Sequence, residues 1–147
     1  MAISNVKTAI GQDLATLTVA NGYSTTITKF YKIPKMPNQV QPSECPCISW
    51  YLTEAPNREF TATMQSFDLI YTIIVHVDKP IDTDDSGDIE DALFAIYEDI
   101  VKLFNLQTTN TYKLDEVDTI SVENFFLDTK ETKGWAFIPL RITYKTN

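Results

Sequence analysis

The sequence predicts an α+β domain, in which one mixed, mainly antiparallel β-sheet is packed against two helices. Two apolar stripes at helical spacing occur, one near the N-terminus and one in the second half of the chain. Segments rich in β-branched and aromatic residues lie between and after them. A chain of 147 residues fits one domain, 1–147. One sheet covered by helices is the simplest layered arrangement for this order of elements.

The first stripe predicts an N-terminal helix over 3–19. Its apolar residues recur at steps of three and four, and these are Ile3, Val6, Ile10, Leu14 and Leu17. Asn21-Gly22 follows, and a glycine just past the last periodic residue is a common helix stop. The next segment, 23–33, is rich in Thr, Ile and aromatic residues, which favours a strand.

Four prolines interrupt the segment 33–47, at Pro34, Pro37, Pro42 and Pro46. Because proline fixes φ and removes a backbone donor, the sequence predicts a long irregular loop here. Loops of this length without regular structure are uncommon in compact domains and are often functional.

Three further strands and a second helix complete the expected domain. Residues 47–54 alternate as a half-buried strand does, and a turn over 55–58 leads into a long strand over 59–78 that projects beyond the domain as an extended arm. An apolar stripe predicts a helix over 88–104. The last two strands are expected over 117–127 and 134–144, as a hairpin joined by 128–133.

The charge balance disfavours a protein that binds nucleic acid tightly over its surface. The chain has 20 acidic and 12 basic residues and a net charge of −8, whereas duplex binding depends on Lys and Arg that neutralise phosphates. A small basic cluster, Lys29, Lys32 and Lys35, accompanies Phe30 and Tyr31, which is typical either of single-strand binding or of the solvated side of an edge strand. No segment approaches the ~20 apolar residues of a membrane span, so no membrane contact is expected.

The acidic segment Asp82–Glu90 partly matches a calcium-binding loop. Acids stand at its first and third positions, a hydroxyl at its fifth and Gly87 at its sixth. The twelfth position, where a bidentate glutamate completes the ligand set, is Leu93. A small calcium- or ligand-binding module remains an alternative, but acids that complement the positive end of the following helix explain the segment more simply.

No residue pattern indicates an enzyme, a cofactor or a metal site. His76, the one histidine, lacks a serine or cysteine motif that would make it a general base. Cys45 and Cys47 are separated by one proline, too close for an unstrained disulfide, and no second cysteine pair completes a zinc site. We therefore expect free thiols, as in a reducing cytoplasm, and no catalytic residues.

The order of the elements resembles that of the tail terminator (gpU-like) proteins of long-tailed bacteriophages. The resemblance rests on an N-terminal helix ending near Gly22-Tyr23, a proline-broken loop before the strand CISWYL at 47–52, and a long strand followed by an acid-capped helix. A final strand, WAFIPLRITY at 135–144, completes it. Related neck, head-completion and tail-tube-like proteins are alternatives within the same class.

The resemblance implies a structural virion protein of the tail or neck, assembled in the host cytoplasm. It implies a homohexameric ring on the end of the tail tube, where the ring stops polymerisation and joins the tail to the head–tail connector protein. DNA would pass through the bore without sequence-specific binding.

Apolar residues outside the two helical stripes mark a candidate subunit interface. They lie in the proline loop and at the start of the long strand, and with one adjoining arginine they are Met36, Val40, Arg58, Phe60 and Met64. Clustered apolar groups on a surface are typical of subunit contacts. The alternative is that these side chains fold back onto their own domain.

Overall fold

The computed structural model describes residues 2–55, 57–60, 65–78 and 87–146. These residues form one sheet and two α-helices, which confirms the predicted α+β class. The elements in chain order are α1 Ala2–Leu14, β1 Lys29–Tyr31, β2 Cys47–Glu54, β3 Asn57–Phe60, β4 Gln65–Asp78, α2 Gly87–Phe104, β5 Val117–Val122, β6 Phe126–Lys130 and β7 Lys133–Thr146.

Two long antiparallel hairpins lie side by side and make most of the sheet. In the first, β2 and then β3 pair along one edge of β4. In the second, β5 and then β6 pair along one edge of β7. The hairpins join where β4 pairs with β7, from Gln65 opposite Thr146 to Asp78 opposite Lys133. β1 adds to β2 in parallel, so the sheet is mixed but mainly antiparallel, as expected.

Both helices contribute apolar side chains to one core. Alternate residues of β4 and β7 provide the sheet's share of that core, with Ile73 opposite Ile138 at its centre. α1 lies so close to β2 that a Cβ on Gly11 would be 2.5 Å from a ring carbon of Trp50. On β7, a Cβ on Gly134 would collide with the side chain of Ile89 on α2. The two glycines set how closely the helices approach the sheet.

α1 is shorter than the predicted helix over 3–19. The hydroxyl of Thr16 donates to the carbonyl of Asp13 at 2.6 Å, and the chain turns there. Leu17 is nevertheless buried in the core, and a short 3₁₀ helix, Val19–Asn21, follows before Gly22 adopts a φ of 92°. The apolar spacing therefore predicted burial correctly beyond the point where the helix ends.

β1 covers three residues of the strand predicted over 23–33. Upstream backbone groups are bound by other partners: Asp99 accepts from the amides of Ser24 and Thr25, and Leu17 accepts from the amide of Ile27. A residue whose backbone donor is already used cannot donate it to a ladder. The proline loop is also less irregular than expected, because it contains two 3₁₀ helices, Pro37–Gln39 and Pro42–Glu44.

Two of the predicted strands are divided. The turn expected over 55–58 and the continuous strand over 59–78 are wrong, because β3 pairs back onto the start of β4, with Phe60 opposite Gln65. The described start of the predicted arm, Asn57–Phe60, is therefore a separate strand that pairs antiparallel with β4. The strand over 117–127 is divided into β5 and β6, and the link over 128–133 is wrong because Lys130 pairs with Lys133 across Glu131 and Thr132.

The acidic segment singled out as a possible calcium loop lies largely outside the described residues, which resume at Gly87. Among the helices that the structure describes, none is long and apolar enough to cross a membrane.

Candidate functional site

His76 lies on β4 and joins the sheet to the proline loop. It is 3% exposed, and its Nε2 lies 2.8 Å from the carbonyl oxygen of Lys35 in the proline loop. A carbonyl oxygen only accepts, so Nε2 carries the proton and donates it. Burial lowers the pKa of His76, and the nearby Lys133 adds to this. The neutral ring fastens the proline loop to the sheet.

The two cysteines lie beside His76 and are poor nucleophiles. Both are free thiols, Cys45 half-buried and Cys47 buried. Burial raises the pKa of the Cys45 thiol and raises that of Cys47 to about 12. Because the thiolate is the reactive form, both groups stay protonated and unreactive near neutral pH.

Buried carboxylates are used to hold loops. Asp13 is 2% exposed and accepts from the amides of Asn110 and Thr111 and from the Thr111 hydroxyl, at 2.8, 2.9 and 2.6 Å. Asp99 likewise accepts from two amides of the segment before β1. Among the described residues, no group of three or more His, Cys, Asp or Glu side chains could hold a metal ion.

The sheet face opposite the helices carries an ion-pair network. Arg141 on β7 donates to Asp68 at 2.7 Å and to Glu123 at 2.9 Å, and the Thr143 hydroxyl donates to Asp68 at 3.1 Å. The bond to Glu123 first, and then the bond to Asp68, raise the pKa of Arg141. The network ties β4, β7 and the segment between β5 and β6 together.

Among the described residues, the predicted interface residues of the proline loop lie far from those of β3. Met36 is 43% exposed at the start of a 3₁₀ helix, but Val40 is 4% exposed and packs into its own domain beside His76 and Trp135. Val40 therefore follows the alternative, in which the side chain folds back onto its own domain. Arg58 and Phe60 are on β3, which pairs with β4 around Phe67, nine residues and ~30 Å from His76. Met64 is outside the described residues.

The most exposed apolar surface of the described chain lies at β6, one outer strand of the sheet. All five of its residues are exposed, with Phe126 at 72% and Leu127 at 39%. β6 pairs with β7 on its inner side, and alternate residues of an antiparallel strand turn their backbone groups away from the partner. The Thr129 amide is bound by the Asp128 side chain at 2.8 Å, so the open stretch centres on Phe126 and Leu127.

Aromatic side chains extend this surface onto α2. Phe94 is 50% exposed, and its ring centroid is 6.2 Å from that of Phe125, which in turn stacks on Tyr97 at 4.2 Å. Exposed acids surround Phe94 on the helix, at three or four residues' distance: Glu90, Asp91 and Glu98. We call β6 and these neighbours the acidic edge.

The opposite outer strand, β1, has the reverse charge. Three lysines lie on or just after it, Lys29, Lys32 and Lys35, and Lys7 of α1 donates to the Lys32 carbonyl at 2.6 Å. These four are a third of the 12 basic residues of the chain. The nearby Ile33 is 59% exposed and Met36 43%. We call β1 and these residues the basic edge.

Sequence reasoning identified the lysine cluster of the basic edge and missed the acidic edge. Phe125, Phe126 and Leu127 are consecutive, and all three were placed within one continuous strand over 117–127. The available signal was that three successive large apolar residues cannot all face one side of a strand.

No protein-family model matches the chain, and no curated protein sequence matches it.

Proposed function

We propose that this protein is a structural ring subunit of a bacteriophage tail or neck, acting as a tail terminator. It assembles on the head-proximal end of the tail tube, stops tube polymerisation and presents a surface to the head connector. The observation that carries the proposal is the pair of exposed outer strands, each with large exposed apolar side chains close by. Subunits that join edge to edge need two such surfaces, and closed rings need them to differ.

The order of elements supports the same assignment. The resemblance rested on an N-terminal helix, a proline-broken loop before the strand at 47–52, a long strand followed by a helix, and a closing strand. The described elements follow this order, although α1 ends at Leu14 and the long strand begins at Gln65. Among the described residues, His76 and Asp13 hold loops, and burial keeps the Cys47 thiol protonated, as in a subunit with a structural role. The net charge of −8 suits a bore through which DNA passes without adhering.

The mass of the native oligomer and negative-stain images test this proposal, with the purified protein alone and after incubation with tail tubes. A hexameric ring with a bore, seated at one end of the tube and preventing its further growth, is the expected result. Monomers that leave tube growth unchanged would contradict the proposal. Related neck or head-completion proteins would form rings that bind the connector but leave tube length unaltered.

A further inference from the structure

We propose that the acidic edge of one copy binds the basic edge of the next copy, in a head-to-tail contact that continues the sheet between subunits. This proposal rests on the proposed function and names its partner surface, a second copy of this chain. In this contact β6, and not the arm at 58–64, is the surface that meets the basic edge and the proline loop.

Strand direction is the first argument. β1 runs parallel to β2, and β2, β4, β7 and β6 then alternate in direction across the sheet. β1 and β6 therefore run in opposite directions at the two sides of one sheet. Copies placed side by side in the same orientation bring β6 against the neighbour's β1 as an antiparallel pair, the arrangement in which added strands pair well.

Charge complementarity is the second argument. Phe94, Phe126 and Leu127 lie among exposed acids on one edge, whereas Ile33 and Met36 lie among lysines on the other. An apolar centre with a rim of opposite charges favours the correct pairing and raises its rate. The same rims disfavour the symmetrical alternative, β6 against β6, because that pairing places Glu90 and Asp91 of two copies near each other.

The nature of the exposed strand is the third argument. Soluble monomers usually protect an outer strand with charges, prolines or a covering element. β6 has Asp128 and Lys130 near its turn but presents Phe126 at 72% exposure. Such a strand is a template for another chain, and a contact with a second copy would bury it.

Charge reversal on each edge tests the contact. One variant carries Glu90→Lys with Asp91→Lys, and the other carries Lys29→Glu with Lys32→Glu. Both sets of residues are exposed, so folding is expected to be unaffected. Each variant alone should associate at least about tenfold more weakly than the wild type at low salt. A control with Lys113→Glu and Asp115→Lys, also exposed, should assemble as the wild type does.

Recombination of the two variants distinguishes the geometry. In a head-to-tail contact, each variant's altered edge is complementary to the other's, so an equimolar mixture should regain assembly through alternating subunits. One chain carrying all four reversals should also regain it. In a symmetrical β6–β6 contact, the Lys29→Glu, Lys32→Glu variant would assemble unaided, which would overturn the proposal.

Replacing the exposed apolar side chains of the acidic edge tests the contact independently of charge. Phe126→Ser with Leu127→Ser should reduce association, whereas Leu106→Ser, at a 48% exposed site outside both edges, should not. Rings that persist in both the charge-reversal and the serine variants would refute the edge contact and leave the ring function standing. Loss of rings in a Phe60→Asp, Met64→Asp variant, with the edge variants intact, would assign the contact to the arm instead.

The oligomeric state of the wild type distinguishes the edge contact from the closed-ring function. Dimers or open filaments that the edge variants abolish would support the contact and refute the closed ring. A wild-type chain that stays monomeric up to about 1 mM, alone and with tail tubes, would refute both.

Discussion

Replacing Asp13 by asparagine should destabilise the fold more than any surface substitution. Oδ1 of Asp13 accepts from the Asn110 amide, and Oδ2 accepts from the amide and hydroxyl of Thr111, a residue that is fully buried. Asparagine keeps the shape of the side chain but has a single acceptor oxygen. If that oxygen serves Thr111, the NH2 group faces the Asn110 amide, donor against donor.

The expected cost follows from these bonds. An unpaired donor in a buried site costs about 1–3 kcal/mol, and bonds to a charged acceptor are worth about 1 kcal/mol more than bonds to a neutral one. With one bond lost and two weakened, the free energy of unfolding should fall by about 3–5 kcal/mol. For a chain of this size that corresponds to a decrease in Tm of about 6–20 °C.

Thermal unfolding followed by circular dichroism measures the effect. The matched control is Asp118→Asn, because Asp118 is 48% exposed and pairs with Lys145 at 3.1 Å on the surface. Such an exposed pair is worth at most about 1 kcal/mol. Amide exchange should also become faster at Asn110 and Thr111 in the Asp13 variant alone. If Asp13→Asn and Asp118→Asn melt together, the buried carboxylate does not hold this loop.

Three further outcomes are expected. Melts in calcium and in chelator should coincide, since Leu93 stands where a calcium loop needs its last ligand; a large upward shift with calcium would establish a site. Lowering the pH through about 6.5 should destabilise the wild type more than His76→Gln. The pKa of His76 is lowered in the folded state, so the unfolded chain binds the proton first. If the free energy of unfolding falls equally steeply with pH in both proteins, His76 is not held neutral. Cys45→Ser with Cys47→Ser should assemble like the wild type, since both thiols are protonated; loss of assembly in a folded variant would give them a role that their chemistry does not indicate.

The helical stripes and the alternation of the central strands were sufficient to predict the fold class. Ile10, Leu14 and Leu17 are buried as their spacing requires, and so are Ile73 and Val75 on β4. These positions were predictable because burial of one face is a property of local sequence. The same patterns fix neither where a strand stops nor which strands lie outermost.

The errors arise where distant side chains take over backbone groups. The strand predicted from residue 23 begins only at Lys29, because Asp99, about 75 residues later in the sequence, binds the amides of Ser24 and Thr25. The division between β5 and β6 coincides with the Tyr97 hydroxyl of α2 donating to the Glu123 carbonyl at 3.2 Å and with Phe125 stacking on the Tyr97 ring. Neither contact has a local signature, because each joins elements that meet only in the folded chain.

The exposure of the two edges follows from the same topology. A sheet built of two hairpins with helices on one face has two outer sides, and neither helix covers the outer side of β6, where Phe126 is exposed. Only closure of a sheet removes edges altogether. If copies join β6 to β1 in a closed ring, these two outer strands are paired in every subunit, while β3 and β5 keep one unpaired side each. The ring would then be the state in which this fold no longer exposes the apolar strand β6.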